Sequence, residues 1–177
     1  MSSRTTAHGT IYQGNSMADL YLPTAAPMKR CQMAPPPAAS EPHRWMSIAA
    51  AFADTGGLVS GDELADLIRQ QALRDAQLQI SQPVSLVARW IVSGMAVAMD
   101  SPWGIVLPLF QFDLERAMVH PEVPMVCAEL GGVLQGPELG LWFVTPNEWL
   151  EGERPALALR TRLTEVRRAA RHVADSA

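Results

Sequence analysis

Pro83-Val84-Ser85-Leu86-Val87-Ala88-Arg89-Trp90-Ile91-Val92-Ser93-Gly94 reads as a helix with both ends marked. Pro83 suits the first helical position, where its missing N–H would have no partner anyway. Val84, Val87, Ala88 and Ile91 follow at helical spacing. Gly94 can take the left-handed conformation that stops a helix. Upstream, Leu58-Val59-Ser60-Gly61-Asp62-Glu63-Leu64 holds a capping box. There the Ser60 hydroxyl accepts from the Glu63 N–H, the Glu63 carboxylate reaches back, and Val59 and Leu64 form the accompanying staple. Leu64, Leu67 and Ile68 give one apolar stripe, which predicts a helix over 61–73. Asp62, Glu63 and Asp66 sit in its first turns, where carboxylates complement the positive helix end rather than perform catalysis. Downstream, residues 95–100 and 104–112 are short runs rich in Val, Ile, Leu and Phe around Ser101-Pro102-Trp103, a hairpin pattern. Pro108 cannot donate to a ladder and is expected on an edge.

Helix, connection, second helix and β-ribbon is the layout of a winged helix-turn-helix, in which the second helix enters a major groove. Residues 84–94 resemble the recognition helix of excisionase-like and MerR-like domains, where a W-x-x-x-G ending leads into a strand. Residues 108–112 resemble the strand that closes the hairpin in small bacterial regulators. Ser85 and Arg89 are then the candidate DNA-binding residues, Arg89 being the one strong donor to base edges on that helix. Charge works against DNA. Residues 46–150 carry Arg69, Arg74, Arg89 and Arg116 against twelve carboxylates, a balance of −8, whereas affinity for duplex comes largely from neutralising phosphates. Two readings stay open: a dimer that reads DNA with help from the N-terminal tail, or a module turned to structural or protein-binding use.

The whole chain has 177 residues, of which 48% are apolar, with 14 Lys and Arg against 18 Asp and Glu. A net charge of −4 gives no general attraction to phosphate backbones or anionic lipid. The apolar runs 91–99 and 101–112 fall short of the roughly 18 residues that a membrane-spanning helix needs. The N-terminus lacks a signal-type apolar core, so a cytoplasmic protein is expected. Cys31 and Cys127 make neither a disulfide framework nor a zinc set and are expected as free thiols. Residues 1–44 hold six prolines and only Tyr12 and Tyr21 as aromatic anchors, too little apolar surface to offset the entropy of ordering. They are expected to be a disordered leader, with Met17 and Met46 as internal starts. A winged helix-turn-helix-like domain over 45–113 and a helical domain over 114–177 follow.

In that last domain a helix is predicted over 122–134, carrying Val126, Leu130, Val133 and Leu134 and weakened at Gly131-Gly132. A short helix over 138–144 closes before Pro146. Arg154-Pro155 opens another, and Thr164 starts the last, with Val166, Ala169, Ala170 and Val173 on one face and Arg167, Arg168 and Arg171 on the other. Across these elements runs Leu141-Trp142-Phe143-Val144-Thr145-Pro146-Asn147-Glu148-Trp149-Leu150-Glu151-Gly152-Glu153-Arg154-Pro155-Ala156-Leu157-Ala158-Leu159. It follows the pattern W-[FL]-x-x-P-N-x-x-L-x-G-x-x-P-x-x-x-L. Pro146-Asn147 can break a helix and start a turn, Leu150 anchors it, Gly152 permits a bend and Pro155 begins the next helix. Trp142, Phe143, Trp149, Leu150 and Leu159 can all serve simply as core.

This pattern is similar to the C-terminal toxin-binding domain of the Xre/MbcA/ParS antitoxin family, over about residues 121–172. Trp142, Pro146, Asn147, Leu150, Gly152 and Pro155 occupy the motif positions. The resemblance implies a helical domain that forms a homodimer and covers a cognate toxin, commonly a RES-type enzyme that consumes NAD. An attached helix-turn-helix would bind operator DNA and repress the shared operon. The arginines after the motif, Arg154, Arg160, Arg162, Arg167, Arg168 and Arg171, are the candidate partner-binding residues. Their planar donors suit carboxylate or phosphate groups of an NAD pocket, although a solvated helix face would carry them equally well. The chain departs from the family in its N-terminal half and at Arg160-Thr161-Arg162-Leu163-Thr164, where members usually have a glycine-containing turn.

No Gly-rich phosphate loop, metal-type His/Cys cluster or nucleophile elbow is present, and His8, His43, His120 and His172 are scattered. Neither catalysis, cofactor nor metal is expected. The expected fold is mainly α with one small β-hairpin, a degenerate winged helix-turn-helix followed by a helical partner-binding domain. The expected function is that of an antitoxin-like protein that occludes a cognate toxin. The alternative is a DNA-binding transcriptional regulator whose C-terminal domain only dimerises.

Overall fold

The structure, a computed structural model, describes residues 40–75 and 78–177. The expected leader therefore lies outside the described residues up to residue 39, together with Cys31, Tyr12, Tyr21 and Met17. From Ser40 onward the chain is helical, with α1 spanning Ser40–Ala51, so the boundary expected between residues 44 and 45 falls inside a helix. Trp45 and Ile48 form its buried side, joined by Phe52 just past its end, and the polar first turn extends the helix upstream of that anchor.

After a 3₁₀ turn come β1 (Leu58–Ser60), α2 (Gly61–Arg74), α3 (Pro83–Val92), β2 (Met99–Ser101) and β3 (Gly104–Pro108). The capping box sets the start of α2: the Ser60 hydroxyl accepts from the Glu63 N–H at 3.2 Å, and the Ser60 N–H donates to the Glu63 carboxylate at 2.7 Å. The three strands form one antiparallel sheet in the order β1-β3-β2. Val59 lies opposite Leu107, and Asp100 opposite Ile105. The predicted hairpin is present but shorter. Residues 95–98 are not strand, and residues 109–111 turn as a 3₁₀ helix instead of extending β3. Pro108 is not on an edge. It ends the central strand opposite Leu58, beyond β2, whose last partner is Val106, so its missing N–H leaves no gap in that ladder.

The outward and inward faces of α3 also differ from the simple periodic reading. Pro83, Val87 and Trp90 are buried, while Val84 is 53% exposed and Ala88 lies in solvent. The reason is Trp90, whose ring stacks on Phe112 at 5.5 Å. Once that large ring is inside, the positions one and two turns before it go in with it, and Val84, Ala88 and Val92 are left outside.

In the remainder, β4 (Phe112–Asp113) pairs with β5 (Met118–Val119), a second strand pair that was not expected, although Phe112 itself ends the run read as the second strand of the hairpin. The helices α4 (Glu122–Glu129), α5 (Gly136–Val144), α6 (Pro155–Ala158) and α7 (Leu163–Asp175) follow. α4 stops at Glu129 rather than 134, because Gly131 and Gly132 take φ values of 61° and 79°. The class is thus mainly helical with a small antiparallel sheet.

Residues on both sides of the expected domain boundary at 113/114 share one core. Leu64, Ile68, Val87 and Leu107 pack in the same cluster as Val123, Leu130, Phe143, Leu150 and Val166. A second cluster joins Trp45, Ile48 and Phe52 to Met99 and to Val144 of α5. Gly140 permits this approach: a Cβ there would strike the Met99 sulfur and stand 3.2 Å from the Phe52 ring.

Gln111 is the one fully buried polar side chain among the described core residues. Its Oε1 accepts from the Val97 N–H at 2.7 Å, and its Nε2 donates to the carbonyls of Val97 at 2.9 Å and Pro108 at 3.0 Å. Gln111→Met keeps the volume but strands three buried backbone groups, and is expected to cost about 3 kcal/mol. Urea unfolding would register it as a lower midpoint at unchanged slope.

Candidate partner-binding surfaces

Residues 142–155 fold as a closed corner between α5 and α6. The Asn147 side chain accepts from the Trp149 N–H at 2.9 Å, and its backbone carbonyl accepts from the Gly152 N–H at 2.9 Å. The Asn147 N–H donates to the Glu153 carbonyl at 3.1 Å, which ties both ends of the loop together. Gly152 takes a φ of 85°, as such a reversal requires. Leu150 is fully buried beneath the corner, and Pro155 is buried as the first residue of α6. Trp142 is half-buried, edge-on to Phe143 with centroids 5.1 Å apart, and its indole N–H is buried with no acceptor in the structure. Pro146 is exposed at the point where α5 ends. These six residues therefore shape the corner. Trp149, by contrast, stands 49% exposed on it, with its ring 4.4 Å from that of His172 on α7.

The six candidate arginines divide into two groups. Arg154 pairs with Asp54 at 3.0 Å. Arg162 is held by Glu165, by Glu153 at 3.2 Å and by Glu151 at 3.9 Å. Arg167 and Arg171 both donate to the Glu129 carboxylate, Arg167 through Nε at 2.8 Å and Arg171 through Nη1 at 2.9 Å. These four guanidinium groups hold the chain to itself. Arg160 and Arg168 are exposed and make no ion-pair contact among the described residues. Arg168 acts on Glu165 through space, helping Arg162 to lower that carboxyl.

Hydrogen bonding from Arg167, joined by Arg171, holds the Glu129 carboxyl below its ordinary value of 4.5. Burial pushes the Cys127 thiol up to about 11, which keeps it protonated and unreactive at neutral pH.

Ser85 and Arg89 both lie on the outer side of α3. They also border a hollow of about 510 Å³, with Ile80 and Leu86 in its wall. Gln79 and Ile80 of this hollow were not singled out from the sequence, although the alternation of Leu78 and Ile80 with polar neighbours marks a half-buried segment. Among the described residues no cluster of His, Cys, Asp or Glu could hold a metal ion. None of the helices among the described residues is long and apolar enough to cross a membrane.

Because the Glu129 carboxyl is lowered by folding, its contribution to stability is complete above the unfolded value and disappears as pH falls through the folded one. Urea midpoints measured from neutral pH down through 4.5 and below are expected to decline for the native chain. Glu129→Gln should start lower at neutral pH and decline less over the same range.

Known protein families, curated proteins and solved structures offer no match to this chain.

Proposed function

We propose that the chain is an antitoxin-like binding protein that inhibits a cognate toxin stoichiometrically, by occlusion in the cytoplasm and without catalysis of its own. The observation that carries this reading is the corner at residues 142–155. Its motif residues build a loop closed by four hydrogen bonds at Asn147. That loop presents a large amphipathic ring, Trp149, to solvent against α7. Rigid, half-exposed aromatic rings are the usual centres of protein interfaces, and free arginines such as Arg160 and Arg168 suit the rim. A RES-type NAD-consuming enzyme is the partner class that the family resemblance brings, and a homodimer the assembly. Co-expression with the protein encoded by the adjacent reading frame is expected to yield a complex. Trp149→Ala should reduce recovery about tenfold or more with an unchanged circular dichroism spectrum; a neighbour that fails to co-purify with the unaltered chain would overturn the reading.

A second reading, a DNA-binding regulator, is supported by the order α1–β1–α2–α3–β2–β3 with β3 central, which resembles the layout of a winged helix-turn-helix. The outward placement of Ser85 and Arg89 agrees with it. The balance of −8 over residues 46–150 weighs against tight duplex binding at physiological salt. This reading predicts salt-sensitive retention of DNA from upstream of the gene in a mobility-shift titration, abolished in Arg89→Ala.

A further inference from the structure

A trough without carboxylates crosses the connection between α2 and α3. It consists of the hollow beside Ser85 and Arg89, about 510 Å³, and an adjoining one of about 530 Å³ bordered by Arg69, Leu73 and Leu78. The two share Gln79, Ile80 and Ser81. Both volumes fall in the range of ordinary ligand pockets. Leu78, Ile80 and Leu86 supply apolar walls, and Leu73 stands 82% exposed at one end. Donors come from Arg89, Ser81, Ser85 and Gln82 on one side and from Arg69 on the other, where it also pairs with Asp66.

The charge distribution is what gives this trough its meaning. Residues 46–150 carry four cationic side chains and twelve carboxylates. Two of the four cations line the trough, and none of the carboxylates does. Within a stretch that is acidic overall, the trough is thus a donor-rich cleft with apolar walls. We propose that this trough docks an acidic peptide segment of a partner protein, in which leucine-like side chains fill the walls and aspartate or glutamate meets Arg89 and Arg69.

Other occupants fit less well. A DNA backbone supplies the anion but nothing apolar for Leu78, Ile80 and Leu86, and a reading helix must project into a groove rather than border a cleft. The chain's own first 44 residues have four cations against two carboxylates, the wrong sign. In a two-fold dimer of this face each trough would meet its own copy, setting arginine against arginine. The trough lies apart from the corner at residues 142–155 in sequence, so this proposal stands or falls independently of the toxin-binding reading.

Fluorescence anisotropy with the full chain would test it, using a short labelled peptide of aspartates interspersed with leucines. The control replaces every aspartate by lysine. Saturable, salt-sensitive binding of the acidic peptide alone is expected, weakened about tenfold by Arg89→Ala and by Ser85→Asp. Both positions are exposed, so the variants fold, which circular dichroism would verify. The absence of saturable binding, or binding indifferent to both substitutions, overturns the proposal. So would random-sequence duplex binding that alone depends on Arg89, or self-association that alone depends on these two positions, since the occupant would then be DNA or a second copy.

Discussion

Gln111 places a primary amide in a largely apolar interior, and it does there what a strand partner would do. Residues 95–98 connect α3 to β2 without ladder bonds of their own, yet Val97 is buried. The Gln111 side chain takes over its N–H and C=O as a neighbouring strand would, and also binds the Pro108 carbonyl where β3 ends. Its own carbonyl accepts from His120 at 2.8 Å, beside the β4–β5 pair. One residue thereby ties the exit of α3, the end of the larger sheet and the start of the smaller one. Because a buried amide must satisfy all its groups, the geometry around it has little freedom.

From that junction the back half of the chain closes over the front. Phe112 follows Gln111 and receives the Trp90 ring, while Phe110 precedes it and lies 5.2 Å from Phe143 of α5. Gly140, one turn before Phe143, lets α5 settle on Met99 and Phe52. The corner that follows α5 is thus anchored to the same core as the helices at the front, and Trp149 is presented from a fixed base. Surface charge follows the same logic. Three arginines fasten α6 and α7 to distant carboxylates, Arg154 to Asp54 and Arg167 and Arg171 to Glu129, while Arg162 is held by nearby ones and Arg89 lines the trough.

Much of this was legible in particular residues. The capping box at Ser60 and Glu63, the prolines at 83 and 155 and the glycine pair at 131–132 mark helix ends, and the structure has ends at or beside each of them. The corner at Pro146–Gly152 was also readable, since asparagine, glycine and proline act there on their immediate neighbours. The strand at residues 58–60 was hidden because the same residues also serve as the entry to a capped helix. β4 and β5 are two residues each, too short for any alternation to show. The buried face of α3 was misjudged because counting apolar residues gives Val84 and Trp90 equal weight, whereas the aromatic ring buries far more surface.

The starts of α2, α3 and α6 and the tight corner were settled by the amino-acid order alone, because the groups that satisfy them lie within a few residues along the chain. Which strand is central, which side of α3 faces inward, and which arginines are left unpaired depended on contacts between distant residues. Arg154 finds Asp54, Arg167 finds Glu129, and Gln111 finds Val97 only once the chain has closed. Such pairings leave no local periodic mark, since hydrogen bonds, ion pairs and packing act through space and not along the sequence.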